Sequence, residues 1–306
     1  MEKFIMYAKR MYGVVIPTIT PLDAEGKLDL PSLEQYTEFL VSSGVHCLYP
    51  NGTNGESLML SAEERDTVAA TMAKVNNHRL PLFIQCGSMT TQETVAHVRN
   101  AVEIGADGVG IMSPAFFPMD EEALYQYYVS AIEAAPKDFP IYVYNIPGCT
   151  TNDVSPKLLG KLLDTYPNVA GIKYSCPNLM RIEDYLTCAS RVPDVLIGCD
   201  SLFLQCLVTG GVGTVTGPGA VFYKRFLRVY DCFKAGDLAT AAQAQKDIVT
   251  LDRALAGIPG IPALKTMLKL RGIIKTDTCR RPLRALSQAE VDTIAAVMAQ
   301  YDKEEA

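Results

Sequence analysis

Eight short apolar runs recur along this chain with helical patterns between them, and that alternation limits its fold more than anything else. The runs cover residues 14–20, 45–50, 82–86, 108–112, 141–144, 169–173, 195–198 and 212–215. Each has the length of a buried strand rather than a helix. Helical patterns fill the gaps. Residues 33–41 follow Pro31 and Ser32, a good helix start, and Ser61-Ala62-Glu63-Glu64 is a capping box. Residues 91–104, 121–134, 155–163 and 182–189 continue the series. Strands that alternate with helices join as parallel neighbours through crossovers. The spacing therefore predicts an α/β fold, a closed (β/α)8 TIM barrel, which needs about 250 residues. An open doubly wound sheet is the competing architecture. It carries a glycine-rich loop after its first strand, whereas the first run here ends in Thr18-Ile19-Thr20-Pro21. The barrel is the better reading.

From about Phe226 the alternation stops. Residues 238–255, 261–271 and 288–301 read as helices with no strand between them. We expect a barrel over residues 1–225 and a small helical region, 226–306, packed on it. With 306 residues, 48% apolar and 20% charged, the chain has the composition of a soluble globular enzyme. A net charge of −6 without a basic block argues against nucleic acid or an anionic membrane as partner. The nine cysteines are scattered and form no C-x-x-C pair. They read as reduced thiols in a cytoplasmic protein. Met1 to Arg10 lacks the apolar core of a leader peptide. The uncharged stretch 201–223 has the length of a membrane helix, but five glycines and Pro218 break it. It reads as a helix, a turn, a short strand and a loop. His46, His78 and His97 form no metal-ligand motif, so no metal or cofactor is expected.

Lys173 ends the sixth run, Val169-Ala170-Gly171-Ile172-Lys173. Burial disfavours the ammonium form of a lysine and frees the amine to act as a nucleophile. In a barrel, residues just beyond the strand ends share one mouth. The second run leads there to Gly52-Thr53-Asn54-Gly55-Glu56, and the fifth to Tyr144-Asn145-Ile146-Pro147. The turn at Gly52 offers backbone donors and the Thr53 hydroxyl to a small carboxylate. Lys173 can attack a ketone to give a Schiff base, and Tyr144 can move protons to and from that adduct. A 2-oxo acid such as pyruvate supplies both carboxylate and ketone. The candidate catalytic residues are Lys173, Tyr144 and Thr53. The candidate substrate-binding residues of that turn are Gly52, Thr53 and Asn54, and by resemblance to the pyruvate-dependent class I aldolases Cys149, Asp200 and Val215, the last on the glycine-rich stretch 210–219, are expected to join them. Several have plainer readings. Lys173 alone can snorkel to water, Asp200 can simply open a helix, and Glu56 reads as structural. The paired Phe116 and Phe117 read as an interface wedge.

Taken in order, Gly52-Thr53-Asn54-Gly55-Glu56, Tyr144-Asn145-Ile146-Pro147 and Gly171-Ile172-Lys173 resemble the N-acetylneuraminate lyase and dihydrodipicolinate synthase superfamily of pyruvate-dependent class I aldolases. The resemblance spans essentially the whole chain. It implies that Lys173 forms the Schiff base, that Tyr144 relays protons, and that Thr53 and Asn54 hold the pyruvate carboxylate. It also implies a metal-free cytosolic enzyme that assembles as a homotetramer of two tight dimers. Three positions depart from the better-known members. Dihydrodipicolinate synthases usually carry an arginine where Cys149 stands, and a thiol cannot pair bidentately with a carboxylate. Phe116 stands near a tyrosine that many members donate to a neighbouring subunit. In Gly198-Cys199-Asp200-Ser201, Ser201 replaces an acidic residue of the neuraminate lyases. Gly257-Ile258-Pro259-Gly260, Asn54 and Cys279-Arg280-x-Pro282-Leu283 are similar to 4-hydroxy-2-oxoglutarate aldolases. The order of expectation is a lyase of N-acetylneuraminate or 2-keto-3-deoxy sugar acids, then dihydrodipicolinate synthase, then 4-hydroxy-2-oxoglutarate cleavage. A dehydratase using the same lysine, a non-catalytic barrel that binds a 2-oxo acid, and a phosphosugar barrel are the other readings.

Overall fold

The structure, a computed structural model, describes residues 9–305. Residues 1–8, most of the stretch read above as lacking a leader, lie outside that span. Eight strands are present: β1 (Gly13–Ile16), β2 (Cys47–Leu48), β3 (Phe83–Gln85), β4 (Gly108–Met112), β5 (Ile141–Asn145), β6 (Val169–Tyr174), β7 (Asp194–Ile197) and β8 (Gly213–Val215). They pair in the order β2-β1-β8-β7-β6-β5-β4-β3, each pair parallel. The remaining seam, between β2 and β3, is closed by a parallel bridge from Leu48 to Leu82. The Leu48 N–H donates to the Pro81 carbonyl at 2.9 Å and the Gln85 N–H to the Pro50 carbonyl at 3.0 Å. The sheet is thus a closed barrel. The first strand is shorter than its apolar run because Pro17, which has no N–H, interrupts the ladder.

The helices are α1 (Leu30–Ser42), α2 (Ala62–Asn76), α3 (Thr91–Glu103), α4 (Glu121–Glu133), α5 (Pro147–Thr150), α6 (Pro156–Thr165), α7 (Leu179–Leu186), α8 (Phe203–Thr209), α9 (Tyr223–Lys234), α10 (Leu238–Ala254), α11 (Gly260–Leu270) and α12 (Gln288–Glu305). The Ser61–Glu64 capping box starts α2 as its sequence predicts. α9 packs against β1 and completes the outer ring, so the expected boundary at 225/226 falls inside a helix of the barrel. α10 packs on α9, and α11 pairs with α12. The uncharged stretch 201–223 divides into α8, β8 and a loop that leads into α9. Among the described residues no helix is long and apolar enough to cross a membrane.

Strand alternation sorts the core into two parts. Val15, Cys47, Tyr49, Phe83, Tyr142, Leu196 and Val215 fill the barrel interior. Val14, Ile16, Ile84, Val109, Ile111, Val143, Ile172 and Val195 face outward under the helices. Large interior rings need small neighbours. A Cβ on Gly110 would stand 2.0 Å from the Tyr49 hydroxyl, so only glycine lets that ring cross the interior. At the opposite end from the mouth, the buried Asp194 carboxylate accepts from the Tyr142 hydroxyl at 2.7 Å and from Arg10 Nε at 2.8 Å. A second Arg10 nitrogen makes the pair bidentate. Burial, followed by the Asp194 charge, pushes the Tyr142 hydroxyl well above its ordinary pKa and keeps it a donor.

The account predicts that Gly110→Ala lowers stability by about 1–3 kcal/mol, because the added methyl overpacks the barrel against Tyr49. Gly148, whose surroundings are open, is the control. Gly148→Ala should stay within about 0.5 kcal/mol of the parent in denaturant unfolding. Equal midpoints for the two variants would contradict this reading of the core.

Candidate active site

Lys173 lies on β6 in register with Tyr144 of β5 on one side and Leu196 of β7 on the other. Both Lys173 and Tyr144 are buried, the lysine at 4% exposure. Lys173 Nζ sits 3.8 Å from the centre of the Tyr144 ring and 5.1 Å from that of Tyr49. Among the described residues no carboxylate forms an ion pair with it. Two ring faces provide its electrostatic contact instead. The Tyr144 hydroxyl is 3.1 Å from the Thr53 hydroxyl, and either can donate. Lysine, tyrosine and threonine therefore form one line from the barrel interior to its mouth.

The segment that presents Thr53 coils tightly after β2. The Gly55 N–H donates to the Gly52 carbonyl and the Glu56 N–H to the Thr53 carbonyl, both at 3.1 Å. Glu56 takes a left-handed φ of 58°. Its side chain turns inward and is fully buried against Lys265 of α11, itself fully buried. Glu56 Oε2 also accepts from the Arg280 N–H at 2.7 Å, and Lys265 Nζ donates to the Thr278 carbonyl at 2.8 Å. This is the structural role read for Glu56. The Thr20 hydroxyl fixes the Gly55 carbonyl at 2.8 Å. The N–H groups of Thr53 and Asn54 have no acceptor among the described residues and remain available to an anion. Asn54 Nδ2 reaches the Pro17 carbonyl at 3.4 Å beneath Gly217, where a Cβ would come within 2.7 Å of that amide.

These groups open into a cavity of about 320 Å³. Thr53, Asn54, Tyr144 and Lys173 line it together with Ser175, Asp200, Val215 and Gly217. The C-terminal helical region roofs it through Asp252, Leu255, Ile258, Leu264 and Met267. Of the residues singled out from sequence, Gly52 and Cys149 are not in the lining. Gly52 is buried behind the turn, next to the Tyr49 ring. Pro147 starts the short helix α5, which turns Cys149 out to solvent. Asp200 does not cap the 3-10 turn Asp200–Leu202, whose N-cap is Cys199. Instead its Oδ1 is shut off from solvent and has no hydrogen-bond partner. Burial, and next the charge of Asp252, push the Asp200 carboxyl up to about 8 against the opposing pull of Thr216 and Lys173. Burial raises Asp252 to about 6. Asp252 escaped the sequence reading because α10 lies outside the barrel and carries no motif there. Phe116 and Phe117 stack edge to face at 4.9 Å, at 75% and 62% exposure.

Comparison with known proteins bears on the whole chain. The model of the dihydrodipicolinate synthetase family matches residues 10–301. An uncharacterised DapA-like lyase of Halobacterium salinarum is 31% identical over 94% of this chain and 93% of its own length. A 4-hydroxy-tetrahydrodipicolinate synthase of Methanoculleus marisnigri is 30% identical over 94% of this chain and 99% of its own. Among solved structures, dihydrodipicolinate synthase from Aquifex aeolicus superposes with a TM-score of 0.90 at 27% identity, over 95% of this chain and 98% of that one. The chain belongs to the dihydrodipicolinate synthetase family, and with its (β/α)8 fold it is a carbon–carbon lyase of the class I aldolase superfamily.

Proposed function

We propose that the protein is a Schiff-base aldolase that joins a 2-oxo acid such as pyruvate to an aldehyde, or cleaves the product of that addition. The single observation that carries this reading is the buried Lys173 amine over the Tyr144 ring, with the Tyr144 hydroxyl tied to Thr53. Lys173 Nζ adds to the C2 ketone, and the carbinolamine loses water to give a protonated iminium. Tyr144 supplies the proton that leaves with that water, and Thr53 passes protons between Tyr144 and the mouth. The iminium draws electrons from C3, whose methyl gives a proton to the Tyr144 oxygen, deprotonated in the previous step, and an enamine forms. The enamine carbon attacks the aldehyde carbon, and the new alkoxide takes that proton back from Tyr144. Water then frees the product and restores the lysine. Cleavage is the same sequence in reverse. The free N–H groups of Thr53 and Asn54 suit the 2-oxo acid carboxylate.

For the partner aldehyde we favour a sugar-derived one, so that the cleaved substrate is an N-acetylneuraminate-like or 2-keto-3-deoxy sugar acid. Cys149, at the position where an arginine would pair with a carboxylate, faces solvent and adds no cation. Condensation with aspartate semialdehyde is the second reading, favoured by the synthase names of the relatives. A 4-hydroxy-2-oxoglutarate aldolase follows it. A homotetramer built partly on the exposed Phe116–Phe117 pair fits a family in which a monomeric variant has been singled out. The cysteines are all free, which fits a reducing, cytoplasmic setting.

A coupled assay for pyruvate release over a panel of 2-keto-3-deoxy sugar acids tests the reading. At least one acid should be cleaved, and Lys173→Ala should abolish its cleavage. Tyr144→Phe should lower kcat about 10²–10⁴-fold with little change in KM, as expected for a lost proton carrier. A Tyr144→Phe variant within threefold of the parent would remove Tyr144 from the mechanism. Thr53→Val should raise KM for the 2-oxo acid and also lower kcat, because it removes both an anion donor and the bond to Tyr144.

A further inference from the structure

The cavity carries an unusual set of charges. Two carboxylates, Asp200 and Asp252, line it with Lys173, and Lys173 is the single cation among the described lining residues. In the proposed reaction that amine is bound covalently to the 2-oxo acid, so it offers a second substrate no salt bridge. We propose that Asp252, carried on α10 outside the barrel, forms with Asp200 a subsite that takes the hydroxyl groups of a neutral aldehyde and turns away an anionic one. The inference rests on the Schiff-base reading and adds the residue that selects the partner.

Three observations place the two acids together. First, α10 is docked on the start of the Asp200 turn. Gln245 Nε2 donates to the Asp200 carbonyl at 2.9 Å, and Gln245 Oε1 accepts from the Leu204 N–H at 2.8 Å. Asp252 lies about two helical turns further along the same face of α10, so this clamp also aims Asp252 at the cavity. Second, Asp200 Oδ1 is sealed from solvent with no partner. A buried polar atom without a partner marks a place where a ligand can supply one. Third, the two carboxyls act on each other. Asp252 is the largest charge raising Asp200, after burial itself. The other groups facing Asp200 are Thr216, Lys173 and Cys199, and burial keeps the Cys199 thiol neutral by raising it to about 11.

With Asp200 near 8 and Asp252 near 6, the pair holds one proton at neutral pH. It then presents one O–H donor and several acceptor oxygens. That set matches hydroxyl groups, which both donate and accept. A carboxylate offers acceptors alone and would meet a like charge on Asp252. Rejection by repulsion and acceptance by hydrogen bonds then act in the same direction.

The test is condensation of pyruvate with neutral aldehydes, D-glyceraldehyde and D-erythrose, against anionic ones, glyoxylate and succinic semialdehyde. The parent should favour the neutral set in kcat/KM by at least tenfold. Asp252→Asn should cut that ratio at least tenfold through the KM of the aldehyde, with the KM of pyruvate within twofold. Asp252→Lys should invert it. Asp252→Asn is near-isosteric, and a matching melting temperature shows that the fold is kept; if it fails to fold, Asp252→Ser takes its place with the same expectation. A parent that prefers the anionic aldehydes, or variants whose ratio stays within twofold, would overturn the subsite. Borohydride capture of pyruvate on Lys173, followed in every variant, separates the two claims. Capture with an unchanged ratio defeats the subsite alone, whereas no capture in the parent defeats the Schiff-base reading and the subsite with it.

Discussion

The mouth of this barrel is held by one buried ion pair. Glu56, at the end of the turn that carries Thr53 and Asn54, meets Lys265 of α11, and neither side chain touches solvent. An isolated charge in that position is strongly disfavoured, and breaking such a pair from one side costs about 3–5 kcal/mol. The pair is therefore better understood as fixing an arrangement than as adding stability. It binds the turn after β2 to the helices that roof the cavity. The Arg280 N–H on Glu56 and the Thr278 carbonyl on Lys265 extend the same knot into the segment after α11. The Arg280 guanidinium then reaches Glu64, in the capping box of α2. The turn that carries Thr53 and Asn54 and the helices of the roof are thus tied together.

Lys173 gains its character from what is absent around it as much as from what is present. It is buried between two aromatic rings, and among the described residues no acid pairs with it. Of the acids in the cavity, Asp252 acts on Asp200 more strongly than Lys173 does. In the proposed reaction Lys173 carries out covalent chemistry on a 2-oxo acid, and the Asp200–Asp252 pair chooses what is added to it.

Much of this was legible in the sequence, for physical reasons. Short apolar runs between capped helices have few solutions, and parallel crossovers lead to the barrel. The turn at Thr53, the strand end at Tyr144 and the strand end at Lys173 each sit where a barrel gathers its residues, so order along the chain located them. Strand lengths were less legible, because Pro17 ends a ladder inside an apolar run. Cys149 was placed in the pocket by resemblance to an arginine of the synthases, and a resemblance cannot tell that α5 turns the thiol outward. Asp252 was out of reach. Its approach to Asp200 depends on how α10 docks through Gln245, a tertiary contact with no local signature.

The central claim is that Lys173, and no other lysine, forms an imine with a 2-oxo acid. The most direct measurement is mass spectrometry of peptides after the folded protein is incubated with pyruvate and reduced with borohydride. The account predicts that the peptide bearing Lys173 gains the mass of pyruvic acid less one oxygen atom, and that Lys173→Ala gains nothing. A folded protein that stays unlabelled, or carries the label on a different lysine, would contradict it.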